Sequence, residues 1–360
     1  MRRLSEYRRI LVLTEGRLGV FTSKTAACLL RYRSDDIVGI IDSRAAGGDV
    51  RDFIPFAAPC PIFAQVVDAA PLRPEALFVG VAPVGGSLPV EMRVHLLNAL
   101  RAGLDVVSGL HERLSADLEL ASVARAHGAA INDLRTPPAE LPIAAARAAG
   151  TRCRRVLTIG TDCNVGKMVT AMELALAARA RGLIARFVAT GQTGMMIADS
   201  GIAIDAVPAD FVAGAAERLV LENAACDVCF IEGQGSILHP GFSAVSLGLL
   251  HGCCPDAMIL VHHTGRTSYR AEPYGAIPPL REIVDAHERM AAFLHPARVV
   301  GVALNTAGAS DAEAAECRRG IESELNLPVA DPLRDGCEAL LDALGIRAGG
   351  IASGGQAPIT

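Results

Sequence analysis

Short runs of β-branched residues and leucine alternate with longer stretches rich in Ala, Leu and Arg along almost the whole chain. Ile10-Leu-Val-Leu13, Ile37 to Ile41, Pro61-Ile-Phe63, Ala76-Leu-Phe-Val79, Asp105-Val-Val107 and Ala129-Ala-Ile131 read as strands. Helices are expected near Ser23 to Arg33, across Ala64 to Ala70, from about Pro89 to Ala102 and near Ser115 to His127. Strand, helix, strand at this cadence predicts a parallel sheet with helices on both faces. Between Asp133 and Pro142 three prolines, Pro137, Pro138 and Pro142, forbid a continuous helix or a central strand. A lead-in helix of Ala and Arg is expected after them, and from Val156 the alternation restarts. Strands are predicted at 156–159 and near 183–188, 227–231, 257–261 and 298–304, with helices from Gly166 to Arg181 and near 208–224, 279–290, 311–324 and 336–344.

The predicted fold class is α/β, with two parallel-sheet, three-layer domains. The expected divisions are a Rossmann-like domain over 1–135, a linker with its lead-in helix over 136–150, a second domain over 151–348 and a flexible Gly-rich tail over 349–360. In sheets of this kind ligands lie beyond the carboxyl ends of the strands. In the first half those segments are Thr14 to Gly19, Asp42 to Gly48 and Gly80 to Ser87. Gly16-Arg-Leu-Gly19 is only a fragment of a dinucleotide fingerprint, so nicotinamide binding is not predicted there. The run from Cys60 to Gly109 resembles the Rossmann-type domains that bind coenzyme A in acyl-CoA synthetases.

Composition narrows the picture. With 360 residues, 51% of them hydrophobic, 4% aromatic and none of them Trp, the chain is neither disordered nor an aromatic-stacking nucleic-acid binder. A net charge of −5 draws it to neither nucleic acid nor anionic membranes. Mean hydropathy is +0.34, yet every apolar stretch is interrupted within a dozen or so residues, so no membrane span is expected. Ten irregularly spaced cysteines in mostly apolar settings read as reduced core thiols, which points to the cytoplasm. So apolar a chain is expected to form a homo-oligomer.

Chemistry concentrates in the second half. In Val156-Leu-Thr-Ile-Gly160-Thr161-Asp162-Cys163-Asn164-Val165-Gly166-Lys167-Met168 an apolar strand enters a glycine-bounded loop that opens a helix, the setting of a phosphate-binding P-loop. Lys167 supplies a charge for a terminal phosphate, which makes the second domain P-loop NTPase-like. Five residues separate Gly160 from Gly166 instead of four, and Met168 stands where a Ser or Thr would hold Mg²⁺. The longer loop resembles that of dethiobiotin synthetases, but a thioether is a poor ligand for a hard cation. Ile231-Glu232-Gly233-Gln234-Gly235 is a strand ending in an acid, similar to the Glu-Gly-Ala-Gly segment of the same enzymes, and Asn305 ends another strand where related P-loop proteins contact a base. Cys226-Asp-Val-Cys229 has zinc-like spacing but no second Cys-x-x-Cys, so no metal is expected. Cys163, at a helix N-terminus, is a conceivable acyl carrier.

Taken together, Ile131-Asn-Asp-Leu-Arg135, the Gly160 to Met168 loop, Ile231 to Ser236 and His239-Pro-Gly241-Phe-Ser243 resemble one bacterial family over residues 8 to 345. Its members join an N-terminal Rossmann-like domain to a C-terminal P-loop domain, and the characterised ones are D-amino-acid (D-glutamate) N-acetyltransferases of the DgcN type. The resemblance implies transfer of acetyl from acetyl-CoA to the amine of a small-molecule amino acid, with loop residues Gly160 to Met168 and Asn305 against the cofactor. Glu232, His239, His262 and His263 are the candidate bases, since acetyl transfer to an amine needs a proton acceptor. Arg135, Gln192, Thr193, Arg266 and Ser268 are candidate substrate contacts, the arginines because glutamate carries two carboxylates. Two other readings stay open: an ATP- and Mg-dependent ligase or kinase, and a nucleotide- or CoA-binding protein without turnover.

Overall fold

The computed structural model describes residues 2–82, 88–270 and 274–351, so the predicted ligand segment at Gly80 to Ser87 and the predicted tail lie partly outside the described residues. The chain forms two compact units, one of residues 1–138 with 192–206, the other of residues 139–191 with 207–360.

The first unit contains β1 (Ile10–Leu13), α1 (Lys24–Tyr32), β2 (Ile37–Ile41), β3 (Ile62–Phe63), β4 (Ala76–Val79), α2 (Val90–Arg101), β5 (Asp105–Ser108), α3 (Leu118–His127) and β6 (Ile131–Asp133). Its strands run in the order β3-β2-β1-β4-β5-β6, all pairs parallel. Side chains alternate across the sheet as a period of two requires. Ile10, Val12, Ile40 and Phe78 enter one core with Ala26 and Leu29 of α1. Leu11, Leu13, Leu77 and Val79 enter the other with Met92 and Leu96 of α2. Burial on both faces explains why these strands are continuous apolar runs. The predicted helix over Ala64 to Ala70 is a 3-10 helix, Val66–Leu72, broken by Pro71, which offers no amide for an α-helical bond. The last strand begins at Ile131 and not at Ala129, because Asp105 takes the Ala130 amide and the Asp133 carboxylate takes those of Leu114 and Ser115.

The second unit is built from β7 (Arg154–Gly160), α4 (Lys167–Ala180), β8 (Ala185–Val188), then, after α5 (Gln192–Ala198), which belongs to the first unit, α6 (Val212–Glu222), β9 (Val228–Ile231), α7 (Ser243–Cys253), β10 (Ala257–His263), α8 (Leu280–Ala291), β11 (Arg298–Asn305), α9 (Asp311–Leu325), β12 (Val329–Ala330) and α10 (Glu338–Ala343). Its parallel sheet runs β12-β11-β10-β7-β9-β8. Helix α4 lies against β7, β8 and β9 with α10 beside it, while α6, α7 and α8 pack in succession. Strand β7 is central, and the chain leaves it first toward one edge and later toward the other. That reversal opens a crevice at its carboxyl end, where the P-loop lies.

Three sequence expectations need correction. The lead-in helix is only a 3-10 turn, Arg147–Gly150, because Pro142 and the prolines before it deny an earlier start, and the amides of Ala145 and Arg147 bond to the buried Glu217 carboxylate. Thr190 to Gly194, whose glycine-rich sequence after the strand ending at Val188 reads as a substrate loop, instead runs from Gln192 into α5, whose Met196 is fully buried in the first unit's core. His262 and His263, expected beyond their strand, are its last two residues, since β11 extends far enough to pair His262 with Leu304 and His263 with Asn305.

One glycine fixes the approach of β9 to the loop. A Cβ at Gly233 would sit 1.7 Å from the Thr158 carbonyl oxygen, and its amide donates to Thr158 Oγ1 at 3.0 Å. Gly233→Ala is therefore expected to cost about 3 kcal/mol or more by overpacking. Gly320→Ala, in α9 with open space around it, should instead stabilise by about 1 kcal/mol. Calorimetry checks both, at about 2–4 °C in Tm per kcal/mol; equal shifts would contradict the packing argument.

Candidate functional site

The P-loop is organised around a buried carboxylate. Asp162 is 1% exposed and accepts the Cys163 amide at 2.6 Å, the Arg270 amide at 2.9 Å and the Arg266 guanidinium at 3.0 Å. Oδ1, which takes the Cys163 amide, also lies 3.9 Å from His239 Nε2. An ionised carboxylate survives burial only with such partners. Arg266 also reaches the Cys163 carbonyl at 3.2 Å. One arginine thus braces two successive loop residues, and the loop after β10 is tied to the loop after β7.

Lys167 begins α4 and folds back over Gly160, donating to the Asp162 carbonyl at 2.7 Å; a Cβ on Gly160 would meet its Nζ at 2.7 Å. Gly166, at φ 117°, caps the helix without a side-chain oxygen, so the positive end of α4 meets the loop directly. Asn164 takes a left-handed φ of 54°. Asn305 donates to the Val165 carbonyl at 3.0 Å, bracing the P-loop, and its oxygen accepts the Ala307 amide at 3.1 Å in the turn that follows β11. Met168 is buried, and no hydroxyl stands at its position for a magnesium ion.

The four candidate bases differ in which atoms they offer. Glu232 Oε2 accepts the amides of Thr190 at 3.0 Å and Gly191 at 3.2 Å, while Gln234 Nε2 donates to the Thr190 carbonyl at 3.1 Å. Glu232 therefore stitches the end of β8 to the end of β9. His239 accepts the Gly241 amide on Nδ1 at 3.0 Å, so its proton is on Nε2, facing Asp162, and its ring lies 4.6–4.7 Å from those of Phe242, Tyr269 and Tyr274. His262 shares a 3.0 Å hydrogen bond between Nδ1 and Thr161 Oγ1, and burial first, then His263 and Arg266, push its pKa down to about 4. His263 Nδ1 lies 2.8 Å from the Thr264 carbonyl, which can only accept. The proton is therefore on Nδ1, and the lone pair is on Nε2. Ser268 is exposed and pairs with Ala276 across the loop that follows β10.

The remaining sequence candidates belong to the first unit. Arg135 donates to the Gly109 carbonyl at 2.7 Å and to Gln192 Oε1 at 2.9 Å, and pairs with Asp205. Thr193 Oγ1 meets Thr25 Oγ1 at 2.8 Å. Arg135 and Gln192 are thus brought together, and Thr161 with His262, Asp162 with His239 and Arg266, and Val165 with Asn305 are joined in the second unit. Sequence reasoning missed the bracing amides of Thr190 and Gly191. It also missed a buried cluster in the first unit, where His95 Nε2 lies 3.0 Å from Glu15, which accepts the Ser43 amide at 3.0 Å. Glu15 stands two residues after β1, at the sheet's reversal point, and that position was the available signal.

Residues 142–341 match the family model described as the P-loop domain of a domain of unknown function, DUF1611_C, and residues 43–137 match its Rossmann-like partner, DUF1611_N. The chain belongs to the DUF1611 family. This DUF1611 chain is 40% identical over 272 residues to a protein of Tritonibacter scottomollicae named D-glutamate N-acetyltransferase, covering 75% of this chain and 81% of that one. It is 36% identical over 278 residues to a protein of the same name from Pseudoalteromonas, covering 77% and 83%. A crystal structure of a DUF1611 family protein from Anabaena variabilis superposes with a TM-score of 0.88 at 40% identity, covering 93% of this chain and 98% of that one. Both expected folds, Rossmann-like and P-loop, are those the family models describe. Among the described residues of this DUF1611 protein no helix is long and apolar enough to cross a membrane.

Two buried histidines of the P-loop unit set an acid limit. His262 and His287 titrate near pH 4 where the free side chain titrates near 6.5, both chiefly through burial. Between pH 6.5 and 4 the unfolded chain binds these protons and the folded chain does not, so stability falls with pH across that window. The loss is roughly 3 kcal/mol per histidine by pH 4. Urea midpoints measured across the window should fall, and His287→Gln should flatten the slope; a flat profile in the parent protein would contradict the assignment.

Proposed function

We propose that this chain is an N-acetyltransferase moving the acetyl group of acetyl-CoA to the amine of D-glutamate, with the P-loop as a passive cradle for cofactor phosphates. The observation that carries the reading is the identity of 36–40%, over three quarters of the chain, with two relatives named for that activity. Met168 supports the cradle: coenzyme A carries a pyrophosphate and a 3′-phosphate that a helix N-terminus and Lys167 can hold, and its binding needs no magnesium hydroxyl. Gly160 to Lys167 supply that surface, while Asn305, Asp162 and Arg266 keep its shape.

In this reading the amine nitrogen attacks the thioester carbonyl, an N–C bond forms, and the C–S bond breaks as the thiol of coenzyme A leaves with a proton. The ammonium of the substrate must first lose a proton. His263 is assigned that role because its Nε2 carries the available lone pair. His239, with Nδ1 engaged by the Gly241 amide, and Glu232, tied to two backbone amides, act as positioning residues. Arg266 is committed to Asp162, so Arg270, exposed and anchored through its amide to the same carboxylate, is the arginine of this loop assigned to a substrate carboxylate.

Thiol release from acetyl-CoA, compared with D- and L-glutamate as acceptors, tests the reaction; turnover with neither, together with thermal stabilisation by ATP-Mg and not by acetyl-CoA, overturns it in favour of a nucleotide enzyme. Lys167→Ala is expected to raise the KM for acetyl-CoA on the order of tenfold or more, as loss of a charge-assisted phosphate contact does. His263→Gln is expected to lower kcat by about 10²–10⁴ with KM little changed. A His263→Gln enzyme with parental kcat would remove His263 from the mechanism.

A further inference from the structure

At the opposite end of the second unit's sheet three thiols converge. Cys153 immediately precedes β7, Cys229 is the second residue of β9, and Cys226 lies in the turn leading into β9. The parallel register pairs Arg154 with Val228 and Arg155 with Cys229, which sets Cys153 beside the start of β9. The Sγ atoms of Cys153 and Cys226 are 3.1 Å apart, those of Cys153 and Cys229 3.2 Å, and those of Cys226 and Cys229 3.3 Å. Cys153 and Cys229 are fully buried and Cys226 retains 8% exposure. All three are free thiols.

We propose that Cys153, Cys226 and Cys229 bind one zinc ion that clasps β7 to β9. Three soft donors in a near-equilateral triangle suit a thiophilic cation and exclude magnesium or calcium. The edge of a tetrahedral zinc–thiolate site with bonds of about 2.3 Å is about 3.8 Å, so each sulfur moves outward by roughly 0.3 Å on loading, a side-chain adjustment. Among the described residues no fourth His, Cys, Asp or Glu joins the group, and water completes the coordination from the Cys226 side. Arg155, 2% exposed, and Arg186 lie near Cys153 and Cys226 as positive charges that offset the charge of a thiolate cluster. Binding forms three Zn–S bonds and releases the remaining thiol protons to solvent, with no change of oxidation state. A disulfide would engage only two of three nearly equidistant sulfurs and would need an oxidant.

The clasp is separate from acyl transfer. Strand β7 runs from Arg154 beside the cluster to Gly160 at the P-loop, about 20 Å at 3.3 Å per residue. The ion is therefore structural, and the inference stands whether or not the proposed reaction does. It also supplies what the Cys226-x-x-Cys229 spacing lacked, a third ligand from the neighbouring strand.

The test uses the full-length chain, reduced and stripped with a chelator. Titration with Co²⁺ should give a sulfur-to-cobalt charge-transfer band saturating near about one equivalent, and about one equivalent of Zn²⁺ should abolish it. Cys226→Ser should weaken zinc at least about tenfold in competition with a chromophoric chelator, while Cys317→Ser should leave it unchanged. Should Cys226→Ser fail to fold, alkylation of the parent protein mapped by mass spectrometry keeps the question open to decision: zinc should protect Cys153, Cys226 and Cys229 together. Absence of the cobalt band in reduced protein, equal alkylation with and without zinc, or a Cys226–Cys229 disulfide in freshly isolated protein would each overturn the proposal.

Discussion

The candidate site depends on the hydrogen bonds and ion pair that converge on the buried Asp162 carboxylate. A buried charge without partners costs several kcal/mol, and the chain meets that cost by converging on it. The amides of Cys163 and Arg270 and the guanidinium of Arg266 point at it, and the protonated edge of the His239 ring faces it. Three loops, after β7, β9 and β10, therefore share one anchor. The P-loop needs that anchor because its backbone is irregular, with Asn164 and Gly166 at positive φ, and irregular backbone keeps its shape only when its neighbours hold it.

The sheet supplies the frame for this convergence. Because β7 pairs in parallel with both β9 and β10, the loops after all three strands open at one edge. Burial on both faces keeps the middles of these strands mostly apolar, and polar side chains gather at their carboxyl ends: Thr161 after β7, Glu232 after β9, His262 and His263 closing β10 and Asn305 closing β11. Side chains at such positions are held by the sheet's hydrogen bonds from below and by loop amides from above. There Asn305 and Glu232 bond to backbone groups of the neighbouring loops.

Much of this was legible beforehand. Most strands of both sheets follow from apolar runs, and the P-loop follows from a strand, a glycine-bounded turn and a helix in sequence. Helix α5 was not legible, because its apolar side, Met196, makes sense only against the core of the first unit, a partner more than a hundred residues away in the chain. Helix α7 was missed because its Ser, Gly and Val content lowers local helix propensity; its close packing on α6 compensates. The histidine pair was placed outside its strand because the length of β10 is set by its partner β11 and not by its own residues.

At the site the division is sharper. The residue types were readable, since a phosphate loop, strand-end acids and paired histidines have local signatures. Their roles were not: whether a histidine offers a lone pair, as His263 does on Nε2, or has it engaged, as His239 has on Nδ1, depends on a single backbone group placed by the fold. Arg266 reads as a substrate anchor in sequence, and only the fold shows its ion pair with Asp162, 104 residues earlier. The sequence by itself determined two α/β domains and the chemistry available at their strand ends, because period and composition are local. Tertiary structure alone decided which donor meets which acceptor, and brought Cys153 to Cys226 and Cys229, because hydrogen bonds and sulfur contacts act over about 3 Å and only folding brings distant residues that close.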